Sequence, residues 1–335
     1  MKVSWEYSLE TETLRLLHCA HQIAVGFYKI NGFIALPYTE NLKSDRLVSI
    51  PDLPYLRIPR FWEQVKRIDV STLPLQAPAK LVSQTSKLLN STPLPTPTFE
   101  RIKLNWEKNE TRILDEIFTL IPHKKHAVSK IVVMPTAFGT GCSFSQHRKV
   151  GDSITIWLRH DKGVAEIVEA ILTALTRDDV YKNLGGLWQE SEIIVDWLLA
   201  YSPLGKLLQE IKVDINNTLT IKNTRSVQNA NTLQKSEEFM RTIGAPVVDI
   251  NTVKSLPLDN FTSREREIFQ LLLVKSPGLV TTDEIAEILF STNPEAFSLY
   301  AISKTIQRLR DKLEKNGVSG SYIQTKRGEG YLLIN

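Results

Sequence analysis

The chain has 335 residues, 42% hydrophobic and 23% charged, a balance that excludes a wholly disordered, collagen-like or coiled-coil protein. At about 100 to 200 residues per domain, that length predicts two or three domains. A net charge of +4 is too small to point to nucleic acid by itself, and two distant cysteines, Cys19 and Cys142, cannot form a disulfide framework or a multi-cysteine zinc site.

The amino-terminal end carries acidic residues where a signal peptide needs an apolar core, and no apolar run reaches the roughly 18 residues of a membrane span. A cytoplasmic protein in a reducing compartment, with no membrane partner, is expected. Residues 1–97 mix short apolar runs with prolines at 37, 51, 54, 59, 74, 78, 93, 95 and 97. Proline ends helices and removes a ladder donor, so this region should be short strands and loops with few long helices. Residues 14–25 are the first strand-like stretch, and His18, Cys19 and His21 within it are expected to pack rather than to hold a metal. Residues 91–98, rich in proline and threonine, predict an extended connector.

An α+β core is expected over residues 98–211. Ile102, Trp106, Ile113, Ile117 and Leu120 recur at near-helical spacing, residues 130–134 read as a buried strand closed by Pro135, and residues 153–158 alternate as a second strand. Residues 164–176 and 188–201 each carry the apolar face of a core helix. This order is loosely similar to a zinc-peptidase core. Such enzymes need two histidines one helical turn apart, whereas the matching helix here has Glu166 and Glu169 with no histidine, and the next has Glu190, Glu192 and Asp196. The resemblance therefore implies a metal-free derivative that binds rather than hydrolyses, and no catalytic residue, metal or cofactor is assigned. Gly139 and Gly141 lack the Gly-Lys-Ser/Thr of a phosphate loop, Cys142 has no base beside it, and His123 and His126 flank two lysines in a loop. Residues 212–255 turn Asn- and Thr-rich and predict a linker with one helix near 233–243.

The last segment, residues 256–335, is electrically polarised. Residues 256–297 carry three basic and seven acidic side chains, a net of −4, whereas residues 298–335 carry seven basic and three acidic, a net of +4. Thr262 with Glu265, and Thr281 with Glu284, are capping boxes that each open a helix, the first stopped at Ser276, Pro277 and Gly278 and the second before Asn293 and Pro294. Ile302, Ile306, Leu309 and Leu313 form the single apolar stripe of a third helix, leaving Tyr300, Ser303, Lys304, Gln307, Arg308 and Arg310 on other faces. Residues 322–327 and 331–334 flank Gly328 and Gly330 as a hairpin. Three helices followed by a hairpin is the order of a winged helix-turn-helix.

Phe261, Thr262 and Glu265, the Ser276-Pro-Gly278 turn with Val280 and Thr281, the run Ile306 to Leu313 and the run Ile323 to Tyr331 together resemble the OmpR/PhoB-type effector domain of bacterial response regulators. The resemblance implies a third helix in the major groove and a wing arginine toward the minor groove of double-stranded DNA. Carried over by position, the DNA-facing residues are Tyr300, Lys304, Gln307, Arg308 and Arg310 from the helix, and Thr325, Lys326 and Arg327 from the wing. Lys304, Gln307 and Arg308 would reach base edges, and Arg310 and Thr325 would hold phosphates. Gln307 stands where many members carry a basic residue, and the sheet that precedes the helices in that family is not evident before residue 256, residues 213–221 being the nearest source of strand. A receiver domain needs clustered aspartates at strand ends. Residues 14–25 end in no acidic pair, so only the effector half is phosphorelay-like. The expectation is an α+β regulator of transcription, not an enzyme, with a mixed α/β front region that senses or oligomerises and then a winged helix. Homodimerisation and RNA polymerase contact accompany it, and the alternative is a degenerate peptidase-like domain tethered to DNA or protein by that winged helix.

Overall fold

The computed structural model describes residues 3–38, 47–70, 75–93, 98–147, 153–180, 188–216, 218 and 230–334. Its contacts form two compact units, one built from Met1–Cys19, Ile34–Ile58 and Asp69–Ile243, the other from Ala20–Phe33, Pro59–Ile68 and Gly244–Asn335. The contiguous divisions 1–97, 98–211, 212–255 and 256–335 drawn from the sequence do not follow this grouping, because pieces of the first seventy residues belong to each unit.

In chain order the elements begin with β1 (Val3–Trp5), α1 (Leu9–Ala24), α2 (Phe27–Ile30), β2 (Ile34–Pro37), β3 (Leu47–Ile50), α3 (Phe61–Lys66), α4 (Ala79–Asn90) and α5 (Glu100–Leu120). Then come β4 (Lys130–Thr136), β5 (Cys142–His147), β6 (Ser153–Arg159), α6 (Val164–Asp178), α7 (Trp188–Tyr201), α8 (Pro203–Glu210), α9 (Ala230–Thr242) and α10 (Ile250–Lys254).

In the first unit β1, β4, β6 and β5 make one sheet in that order, parallel except for β5. Ile131 and Val133 of β4 and Ile154, Ile156 and Leu158 of β6 are fully buried in one core with Trp106, Ile113 and Ile117 of α5 and Ile167, Val168 and Ile171 of α6. Strand alternation supplies one half of that core and the 3.6-residue repeat the other. Glu110 ties them: its Oε1 accepts the Val3 amide at 3.1 Å and its Oε2 accepts the Trp106 indole N–H at 3.1 Å. Two arginines are buried around the β4–β5 turn. Arg159 pairs with both carboxylate oxygens of Asp161 at 2.5 and 3.1 Å and donates to the carbonyls of Leu47 and Gly139 at 2.7 and 3.1 Å. Arg15 reaches Ser143 Oγ at 2.6 Å, and its guanidinium lies so close to Gly139 (φ +88°) that a Cβ there would fall 2.3 Å from Nη2. Charged groups this deep persist because every strong donor finds an acceptor.

Several expectations change. Residues 14–25 are not a strand but most of α1, with Leu16, Leu17, Ala20, Ile23 and Ala24 buried along a helical face. Consequently His18 and Cys19 sit on a helix, where His18 Nδ1 accepts from Arg15 at 3.2 Å and Cys19 is buried. The proline-rich front also holds the twelve-residue α4, since its prolines punctuate helices rather than interrupt them. Pro135 does not close β4, which runs to Thr136; β1 pairs β4 only as far as Val133, so the missing N–H deprives β1 of no ladder bond. Residues 213–216 are not strand, and residues 217 and 219–221, like 94–97 of the proline-rich connector, lie outside the described residues. The two core helices are present as α6 and α7, residues 100–120 form the single helix α5, and the helix expected near 233–243 is α9.

Candidate nucleic-acid interface

The second unit carries the predicted trihelical order. Its elements are α11 (Ser263–Lys275), β7 (Leu279–Thr281), α12 (Thr282–Phe290), α13 (Leu299–Lys315), β8 (Ile323–Lys326) and β9 (Gly330–Leu333), the strands pairing antiparallel in the order β7-β9-β8. Both capping boxes form. Thr262 Oγ1 accepts the Glu265 amide at 3.3 Å while Glu265 Oε2 accepts the Thr262 amide at 2.8 Å, and Thr281 and Glu284 repeat this at 3.3 and 2.9 Å. Hydrogen bonds from the Lys275 side chain, the Thr281 amide and the Thr281 hydroxyl hold Glu284 down at about 2.

Ile302, Ile306, Leu309 and Leu313 of α13 are at most 1% exposed and pack with Phe261, Ile268, Phe269, Leu272 and Ile285. That fixes which side of α13 faces out. Tyr300, Ser303, Lys304, Gln307 and Arg308 are exposed on it, Tyr300 at 76%, and Gln307 Nε2 donates to Asp311 Oδ1 at 2.8 Å. At the foot of α13, Lys312 Nζ donates to Glu265 Oε2 at 2.5 Å. Burial raises the Glu265 carboxyl, but its hydrogen bonds from Lys312 and Thr262 outweigh that and hold it below its usual range.

The wing is a two-stranded hairpin in which Lys326 pairs with Gly330 and the Glu329 amide closes on the Lys326 carbonyl at 3.0 Å. Lys326 and Arg327 are exposed at its tip. Gly330 (φ +153°) is required where β9 crosses β7, because a Cβ there would lie 2.1 Å from the Val280 carbonyl oxygen.

The structure thus places Tyr300, Lys304, Gln307 and Arg308 on one face of α13, and Lys326 and Arg327 at the wing tip. Arg310 and Thr325 it brings together instead: Arg310 Nε and Nη2 donate to the Ile323 carbonyl at 3.0 and 2.8 Å, and Nη2 donates to Thr325 Oγ1 at 2.9 Å. Arg310 fastens the wing to α13, a role for which helical periodicity gives no signal. Ser303, off the apolar stripe by helical phasing, shares the exposed face and lies 3.4 Å from Tyr331 Oη.

Residues 259–333 match the family model described as transcriptional regulatory protein, C terminal. This segment is a DNA-binding domain of transcriptional regulators. It has the winged-helix fold, and the chain as a whole is α+β. No curated protein and no solved structure matches the chain.

In the first unit several of the side chains singled out from the sequence make local contacts. Glu166 Oε2 accepts the Gly163 amide at 2.9 Å at the start of α6, His123 and Lys124 pair with Asp179 at 3.4 and 2.8 Å, and burial pushes the Cys142 thiol well up. Among the described residues no group of three or more His, Cys, Asp and Glu could hold a metal ion, and no helix is long and apolar enough to cross a membrane.

Proposed function

We propose that the chain regulates transcription by setting α13 in the major groove and the wing against the adjacent minor groove of double-stranded DNA. The observation that carries this reading is the division of α13 into a fully buried apolar stripe and an exposed face bearing Tyr300, Lys304, Gln307 and Arg308, with Lys326 and Arg327 at the wing tip. Long donors on an exposed helix match the acceptor-rich edges of the major groove, and an arginine on a narrow hairpin suits the electronegative minor groove.

Lys304, Gln307 and Arg308 read base edges, Tyr300, Thr325 and Lys326 line the contact, and Arg327 enters the minor groove. Arg310 holds Thr325 and the wing in register. The first unit, in this reading, senses a signal or oligomerises in the cytoplasm of a bacterial cell, and two copies bind two half-sites, since one winged helix spans few base pairs. RNA polymerase is the protein partner it implies.

Selection of genomic fragments by the full chain at two salt concentrations tests the reading. One enriched motif with steep salt dependence is expected, and Arg308→Ala combined with Arg327→Ala should abolish specific binding; equal recovery of all fragments by the wild-type protein would sink it. Arg310→Ala should weaken binding on every sequence. A fall of about one in the salt slope would mark a phosphate contact, whereas an unchanged slope would confine Arg310 to holding the wing. Sedimentation of the protein on a selected site gives the number of copies bound, two being expected.

A further inference from the structure

The stretch between α13 and the wing, residues 316–322, carries no DNA-facing side chain, yet its position decides the angle at which the wing leaves the helix. Its start is local. Gly317 (φ +74°) ends α13, with the Val318 amide donating back to the Leu313 carbonyl at 3.0 Å. Beyond it, Gly320 packs on Arg310 and its amide donates to the Glu314 carboxylate of α13, and residues from the front of the chain also hold the stretch. The Ser319 amide donates to the Val25 carbonyl at 2.9 Å, and Gly26 (φ +78°) packs tightly against Tyr322: a Cβ on Gly26 would sit 3.0 Å from Tyr322 Oη and 3.0 Å from Val248 Cβ, close enough that both neighbours would have to give. Tyr322 Oη in turn donates to the Val248 carbonyl at 3.1 Å, and Val318 and Tyr322 are at most 1% exposed.

A second early segment joins the first. The hydrocarbon chain of Lys66 lies across Gly317, where a Cβ would come within 2.4 Å of Lys66 Cε, and His21 Nδ1 donates to the Val65 carbonyl at 2.8 Å, tying the end of α1 to α3. All of these residues lie within the second unit.

We propose that the turn at Val25 and Gly26 is a positioning element of the DNA interface: by holding Ser319 and Tyr322 it sets the wing, and hence Arg327, relative to α13. The inference deepens the DNA-binding reading and rests on it. Arg310 holds the Ile323 carbonyl and Val25 the Ser319 amide at the wing's base, and the second contact is contributed by a segment outside the matched family region. A merely stabilising contact would lower binding through every DNA-facing residue alike. A positioning contact acts through the wing and spares the helix.

The experiment uses the full-length chain and a selected DNA site. Gly26→Val, which places a branched side chain against Tyr322, is combined with Arg327→Ala and separately with Lys304→Ala, and affinities are measured around both double-mutant cycles. Expected is about a tenfold loss for Gly26→Val, after which Arg327→Ala costs less than about threefold instead of its own roughly tenfold, while Lys304→Ala costs the same in either background. Gly26→Ala, whose single Cβ would sit 3.0 Å from Tyr322 Oη, serves if Gly26→Val fails to fold; it should speed hydrogen exchange at the Ser319 amide and weaken binding about threefold, again not additively with Arg327→Ala. Unchanged affinity and exchange, or additive losses in both cycles, would overturn the positioning role while leaving DNA binding intact. Absence of sequence-specific binding by the wild-type chain would instead overturn the DNA-binding reading, and this inference with it.

Discussion

Glu12 shows how much one buried side chain can decide. It is 4% exposed, and its two oxygens accept the Thr136 hydroxyl at 2.6 Å and the Ala137 amide at 2.8 Å, so it fastens α1 to the end of β4. Burial raises its pKa to about 7, against the lowering effects of those two hydrogen bonds and of Arg15. A carboxyl whose folded pKa lies above its unfolded one binds its proton more tightly when folded, so its contribution to stability is present at low pH and declines as pH rises from about 4.5 to about 7. The change is worth about 3 kcal/mol across that window. Denaturant unfolding of the wild-type chain at pH 5 and pH 8 should show it. Glu12→Gln, which can still accept from Ala137, should remove that slope and be the more stable protein at pH 8; a Gln variant with the wild-type slope would show that another group titrates there. Glu284 behaves in the opposite sense. Its pKa is lowered to about 2, so the Lys275 and Thr281 contacts stabilise at neutral pH and fade as pH falls from about 4.5 toward 2.

At the scale of elements, the winged helix tolerates little change where backbones cross. Gly330→Ala should cost about 2 kcal/mol or more, because a Cβ would meet the Val280 carbonyl oxygen rather than a side chain that could turn away. Leu309→Ala, at 0% exposure in the stripe of α13, should cost about 2 to 5 kcal/mol by leaving a cavity. Urea titrations of full-length variants check both, and a loss below about 1 kcal/mol for either would mean the site relaxes. The same elements explain what is legible in the sequence. The helices of the winged domain announce themselves because their signals are local: Thr262 and Glu265 are three residues apart, and the stripe of Ile302, Ile306, Leu309 and Leu313 needs only helical phasing. The exposed face of α13 follows from that phasing. Arg310 reads as pointing outward because its partner, the Ile323 carbonyl, lies beyond the end of the helix, and nothing in the pattern of α13 encodes it. Helix α1 reads as a strand because His18, Cys19 and His21 interrupt its apolar positions, although Leu16, Ala20, Ile23 and Ala24 keep helical spacing. The link from Val25 to Ser319 has no signal at all, since a carbonyl is present at every residue.

For the molecule as a whole, the small net charge hides an uneven distribution. The segment from residue 298 onward is net positive by four and carries the exposed face of α13 and the wing tip, so binding should be strongly salt-dependent. Raising salt from about 50 to about 200 mM should lower the affinity of the full chain by at least about tenfold on any DNA, and a flat response in filter binding would count against phosphate contacts. The division into units carries a different consequence. The second unit is assembled from Ala20–Phe33, Pro59–Ile68 and Gly244–Asn335, so synthesis delivers its first two pieces long before the third. Until then Gly26 and Lys66 have neither Tyr322 nor Gly317 to rest on, and closing the unit requires joining segments separated by roughly 180 residues, a large entropic and kinetic barrier compared with local helix formation. A nascent chain halted near residue 240 lacks Val248, Ser319 and Tyr322, so the turn at Val25 and Gly26 has none of the groups it closes on in the finished protein.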